Sequence, residues 1–187
     1  VWESYLSVDE RERAGRFRFP QHRAQAILSR GSLRYLLAEY CNTDPVRIAF
    51  QVNPYGKLAS ADSTCDLRFN TSHSGDWVVH GFVRGDEIGI DIEAVRTPID
   101  WEPVARTSFS AREVDAILKL PEARRRDGFF ACWSRKEAFI KALGQGLHTP
   151  LDEPAGFSTS GRPIRPRLRI RPQRRTCPDA RSGRGRR

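Results

Sequence analysis

At 187 residues, 39% of them hydrophobic and ten of them Phe, the chain has material for one large domain or two small ones. Its net charge of +9 is concentrated at one end: residues 158–187 hold eleven Arg against one Asp, while residues 1–157 hold 21 basic and 22 acidic side chains. A near-neutral body excludes a general nucleic-acid binder, and no apolar run approaches the length of a membrane span.

Taken in order, Val8–Arg18 is dense in charge and predicts a short solvated helix. From Gln21 to Tyr40, Ala24, Ile27, Leu28, Leu33, Leu36, Leu37 and Tyr40 recur at spacings of mostly three and four, the pattern of an amphipathic helix about five turns long. Asn42-Thr43-Asp44-Pro45 ends it as a turn. Val46–Val52 predicts a first strand, followed by the turn Asn53–Lys57. Leu67–His73 predicts a second strand that runs into a polar Ser/His/Ser/Gly turn. Trp77–Arg84 and Glu87–Glu93 predict a third and fourth, joined at Gly85-Asp86 as a tight hairpin.

The fourth of these carries the first chemical signal. Ile88, Ile90 and Ile92 alternate with Gly89, Asp91 and Glu93, so both carboxylates leave one face of the strand and Gly89 keeps that face open. Two neighbouring carboxylates repel, and a fold that keeps both supplies a cation between them. An edge strand with a solvated acidic face is the equally simple alternative at this point.

Beyond Thr97-Pro98 the pattern returns to helix. Trp101–Phe109 is one short candidate, and Ser110–Lys119 a second, with Ser110 and Glu113 spaced as a capping box. Phe129–Leu143 is the strongest helix, with Phe129, Cys132, Trp133, Ile140 and Leu143 on one side and Gly144 as its stop. Helix followed by short antiparallel connections predicts an α+β fold. The four cysteines (Cys41, Cys65, Cys132, Cys177) form no CxxC pair. That spacing argues against structural zinc and against a disulfide framework, and implies a reduced, cytoplasmic compartment. The chain opens at Val1 and contains no Met, so the native start is expected upstream. Residues 158–187, with four Pro and three Gly, read by composition as a disordered basic segment without the aromatic residues that stack on bases.

Glu137 and Lys141 stand four apart on the last helix and share a face. Singly, such a pair is an ordinary surface contact. Together, Asp91, Glu93 and Glu137 make a hard-oxygen set suited to Mg²⁺ and a substrate phosphate, with Lys57, His73, Lys136 and Lys141 as donors to further phosphates.

The ordered trio FNTSHSGDW (Phe69–Trp77), IGIDIE (Ile88–Glu93) and WSRKEAFIKALGQGL (Trp133–Leu147), with RFRF (Arg16–Phe19) and NPYGK (Asn53–Lys57), resembles the 4'-phosphopantetheinyl transferases of the surfactin-synthetase type. The resemblance runs from about Asp9 to Phe157. It implies a monomeric pseudo-dimer of two similar helix-plus-antiparallel-sheet halves holding coenzyme A between them, here divided as residues 1–96 and 97–157, with 158–187 as a tail. The implied reaction moves the phosphopantetheine arm of CoA to a serine of an acyl or peptidyl carrier protein and releases 3',5'-ADP. Asp91, Glu93 and Glu137 would ligate Mg²⁺, with Glu137 also taking the serine proton and Lys141 meeting the leaving phosphate. Lys136 would be a further phosphate contact. Ser72 and His73 would hold the 3'-phosphate, helped by Lys57, Arg13 and Arg23. No nucleic-acid or membrane partner is implied. Two departures stand out: Gly56-Lys57-Leu58 replaces the family's usual Gly-Lys-Pro, and the family's further strands after Phe157 give way to the Arg/Pro segment. Those strands' absence predicts lower stability and favours the alternative of a relative that binds CoA or carrier protein without turnover. The intact acidic set favours transfer.

Overall fold

A computed structural model describes residues 1–62, 64–95 and 99–144. Their order is a 3-10 turn (Trp2–Tyr5), helices α1 (Val8–Gly15) and α2 (Pro20–Cys41), a 3-10 turn (Pro45–Arg47), and strands β1 (Phe50–Val52), β2 (Leu58–Ser60), β3 (Leu67–Ser74) and β4 (Trp77–Arg84). Helices α3 (Trp101–Ser108), α4 (Ala111–Leu118) and α5 (Glu122–Leu143) follow. The α+β expectation holds: helices and antiparallel hairpins segregate along the chain.

Helix α1 starts at a capping box in which Ser7 N–H donates to Glu10 (2.9 Å) and Glu10 N–H to Ser7 Oγ (3.3 Å). It is less solvated than its charge suggests. Glu10 turns inward, where Arg34 Nε donates to it at 2.7 Å, and Arg34 Nη1 donates to the carbonyls of Pro45 and Ile48. Burial alone would raise the Glu10 carboxyl, but the Arg34 and Ser7 hydrogen bonds and the charges of Arg34 and Arg30 hold it below the usual range.

The inner face of α2 places Leu33, Leu37 and Ala38 against Ile48, Leu67 and Phe69, with Phe50, Leu58 and Phe82 around them. The expected strand from Val46 forms only from Phe50, because Asp44 caps a 3-10 turn that takes Pro45 at its start. Strand β2 was not foreseen. Three residues, Leu58-Ala59-Ser60, are too few to show a periodicity, although the Asn53–Lys57 turn demands a returning partner, and Leu58 pairs with Val52. β3 and β4 pair antiparallel from Leu67↔Arg84 to Ser74↔Trp77. Their two-residue Gly75-Asp76 loop uses φ +55° at Gly75. Ser72 and His73 therefore lie within β3 and not in a turn.

His80 faces α2 across this sheet. Ser32 Oγ–H donates to Leu28 O (2.6 Å), which leaves Ser32 to accept from His80 Nε2 (2.9 Å) and Thr71 to donate to Nδ1 (2.8 Å). Burial, with the Arg30 charge adding, pushes the imidazole down from 6.5 to about 4. Below pH 6.5 the unfolded chain takes a proton that the folded protein refuses, so stability falls as pH drops through that window. Between pH 7 and pH 5 the loss should be about 2 kcal/mol, read as a lower urea midpoint, and His80→Gln should remove most of it. A midpoint that is flat over this range contradicts a half-buried His80 held neutral.

Cys41 and Cys65 form a disulfide, contrary to the expectation of unpaired thiols. The two are 24 residues apart, a spacing without local signature, and meet because α2 lies across the sheet and ends beside the entry to β3. The cysteine pattern therefore gives no support to a reduced compartment. Reduction should cost about 3.5 kcal/mol by the chain-entropy model, measured as the urea midpoint with and without dithiothreitol.

A second core gathers Ala105, Phe109, Val114, Ile117, Phe129 and Phe130 from α3, α4 and α5, with Trp101 and Trp133 beside them. The Ser110–Glu113 capping box of α4 forms as expected. Helix α5 begins at Glu122, well before Phe129, since its first turns are charged and solvated and hide the period. Leu143, expected on the apolar side, is 45% exposed. The expected residues Thr97-Pro98 and 145–187 lie outside the described residues.

Candidate active site

Residues Glu87–Glu93 do not pair as a fourth strand, and no hairpin closes at Gly85-Asp86. The segment instead crosses the outer face of β3–β4 in step with β3. Ile90 N–H donates to Asn70 Oδ1 (3.0 Å), Ile92 N–H to Ser72 Oγ (3.3 Å) and Ala94 N–H to Ser74 Oγ (2.9 Å). Alternate β3 side chains thus do the work of a backbone ladder. Beneath it, a Cβ on Gly81 would sit 2.9 Å from both Ile88 and Ile90, so the isoleucines fill the space a side chain would need.

The face that Gly89 was expected to leave open is closed by α5. A Cβ there would lie within the van der Waals envelope of Ala138 O and Ala142 N and 2.9 Å from Lys141 C. Glycine is required because the segment lies directly on the helix backbone, and that approach brings the acidic residues to Glu137 and Lys141.

At the crossing, Asp91 Oδ1 accepts from Lys141 Nζ (2.5 Å) and Ser72 Oγ (2.9 Å), and Lys141 also reaches Ser72 Oγ at 3.2 Å. The Asp91 side chain is 3% exposed and its Oδ2 is buried without a hydrogen-bond partner. Ser74 donates to Glu93 Oε2 at 3.3 Å. The Glu137 carboxyl is pushed up by burial and further by the charges of Asp91 and Glu93, with Lys141 opposing. The three carboxylates are electrostatic neighbours, yet among the described residues no three Asp, Glu, His or Cys side chains gather tightly enough to hold a metal ion. Lys141 occupies Asp91 in their place.

Beside this triangle opens a cavity of about 660 Å³, bounded by α1, α2, the Asn53–Lys57 turn, β3 and α5. Arg13, Lys57, His73, Glu137 and Lys141 line it, as do His22 and Arg30, which the sequence reading did not single out. Three other expected site residues, Lys136, Ser72 and Arg23, do not line it. Lys136 is 2% exposed, paired with Glu113 at 2.8 Å and set over the Phe109 ring. At roughly 100° per residue it points well away from Lys141, whereas Glu137 and Lys141 stay on one face. Ser72 is buried at 5% exposure under the acidic segment, on the β3 face opposite His73. Arg23 is half exposed and pairs with Glu3 at 3.0 Å. Missed altogether were Asn70 and Ser74, whose only signal was the alternation of polar residues through Asn70, Ser72 and Ser74.

Two family models match, a 4'-phosphopantetheinyl transferase N-terminal region over residues 2–81 and the 4'-phosphopantetheinyl transferase superfamily over residues 87–181. The second spans just over half the chain. This chain belongs to the 4'-phosphopantetheinyl transferase superfamily. Among its curated relatives are the transferase HetI of Nostoc sp., 37% identical over 76% of this chain and 61% of its own, and Sfp of Bacillus subtilis, 36% identical over 80% and 65%. Psf-1 of Bacillus pumilus is 38% identical over 76% and 60%. These relatives support the Sfp type within the family. The chain spans a little under two thirds of the length of these relatives. The superfamily match continues past Phe157, where the resemblance in motifs ends.

Proposed function

We propose that this chain transfers 4'-phosphopantetheine from coenzyme A to a serine of an acyl or peptidyl carrier protein. The observation that carries the reading is the Asp91–Lys141–Ser72 triangle next to Glu137, at the edge of a basic cavity, in a chain of this family. In the proposed step the serine Oγ forms a bond to the phosphorus that bears the pantetheine arm. The bond to the departing 3',5'-ADP breaks, and the serine proton passes to Glu137. A carboxylate whose proton affinity is raised by burial and by neighbouring acids is suited to accept that proton. Lys141 brings a positive charge to the leaving phosphate. Arg13 and His73 offer donors to the other CoA phosphates from the cavity wall.

Asp91, Glu93 and Glu137 would hold Mg²⁺ after drawing closer together than they stand here, and the buried, unpartnered Oδ2 of Asp91 and the mutual repulsion felt at Glu137 support this donor set. When bound, the ion supplies charge neutralisation at the pyrophosphate. Lys136 and Arg23 have no part in this reading, because each is committed to a protein contact, and Ser72 enters it as the hydrogen-bond partner of Asp91 and Lys141 and not as a phosphate ligand. The pseudo-dimeric plan belongs to the same proposal: α2 and α5 are both 22 residues long and both end in a left-handed residue, Asn42 and Gly144. With it go the division at residues 96 and 157, a monomeric state and a cytoplasmic setting. Among the described residues no helix is long and apolar enough to cross a membrane.

The test is mass spectrometry of an apo carrier protein incubated with CoA, Mg²⁺ and this chain. A phosphopantetheine-sized mass gain is expected. Folded protein that binds CoA and gives no gain would establish the non-catalytic alternative.

A further inference from the structure

The turn between β1 and β2 makes contacts that a hairpin does not need. Internally it is closed by Asn53 Oδ1, which accepts from Tyr55 N–H (2.9 Å) and Lys57 N–H (2.8 Å). Outwardly, Asn53 Nδ2 donates to Gly144 O (2.8 Å) and Lys57 Nζ to Ala142 O (2.9 Å). Both acceptors belong to the end of α5, where carbonyls have no partner within the helix and the dipole is negative. Gly144 ends the helix at φ +67°, and a Cβ on it would meet Lys57 Cδ at 2.9 Å, so turn and helix end are fitted against each other. Glu87 Oε2 holds the same ammonium at 2.6 Å, and the Lys57 side chain is only 15% exposed. Lys141 stands in that last turn, with Asp91 as its partner.

We propose that Asn53 and Lys57 are positioning residues: they cap the last turn of α5 and act on transfer through Lys141, not by contact with a CoA phosphate. The role rests on the transferase reading for its effect on rate, but the capping stands independently of it. An ammonium already neutralised by Glu87 and bound to a helix carbonyl is a poor anion ligand, although it borders the cavity.

The experiment compares the whole chain with Lys57→Met, Lys57→Arg and Asn53→Ser in three measurements: amide hydrogen exchange in α5, CoA affinity by calorimetry, and transfer kinetics. Lys57→Met should speed exchange at residues 141–144 about fivefold. It should lower kcat about tenfold while the KM for CoA stays within about twofold. Lys57→Arg should restore most of both, and Asn53→Ser should speed the same exchange. A tenfold weaker CoA affinity with unchanged exchange would overturn the proposal in favour of direct phosphate contact. Unchanged exchange and kcat in both Lys57→Met and Asn53→Ser would also overturn it. If the unmodified chain transfers nothing, the transferase reading fails, while the exchange data still decide the capping.

Discussion

Gly89→Ala is expected to unfold the site and abolish transfer. The new Cβ would enter the van der Waals envelope of two backbone atoms of α5, Ala138 O and Ala142 N, and neither yields as a side-chain tip would. The 88–94 segment must lift off, which breaks the Asp91–Lys141 contact and the three N–H donations to Asn70, Ser72 and Ser74. Overpacking a tight core typically costs 1–3 kcal/mol, and a clash with the unyielding backbone of α5 places this change at about 3 kcal/mol. Urea denaturation reads the stability and carrier-protein mass spectrometry the transfer. Gly15→Ala is the control. It lies at the end of α1 with nothing within 4 Å of its added Cβ, and should be neutral or stabilising by up to about 1 kcal/mol. A Gly89→Ala protein with the unmodified midpoint and rate would mean that the segment does not rest on α5.

Asp91→Asn should separate chemistry from stability. Asparagine keeps the shape and accepts the Ser72 hydrogen bond, and Lys141, at 31% exposure, can turn to water. The loss of stability should therefore be about 1 kcal/mol, below the 3–5 kcal/mol typical of a fully buried pair left half broken. Transfer should fall at least about 100-fold, since even partners behind a metal ligand typically cost 10–100-fold when removed. Calorimetric Mg²⁺ affinity should fall with it. If rate and Mg²⁺ affinity both stay unchanged, Asp91 is a structural partner of Lys141 alone.

Much of the site was readable in the motifs because chemistry depends on residue type at short spacing. Glu137 and Lys141 share a helix face by period alone, and Asp91 and Glu93 share a side of an extended segment by alternation. The capping box at Ser110 was readable for the same reason: its two partners are three residues apart. Lys136 shows where adjacency misleads. It is next to Glu137 in sequence, yet one step of helical rotation sends it into the second core and onto Glu113. Ser72 and His73 diverge likewise, because successive strand residues face opposite ways.

Local patterns thus decide what repeats within a turn or a strand: helix faces, caps, the α+β class and the acidic and basic residues from which a site is built. The tertiary structure alone decides which distant backbones touch. Nothing around Gly89 announces α5 as its neighbour, nothing in the spacing of Cys41 and Cys65 announces their bond, and Lys57 gains its carbonyl partner from a helix 85 residues away. Those pairings depend on how helices settle on the sheet, a consequence of burying both cores at once that no short stretch of sequence contains.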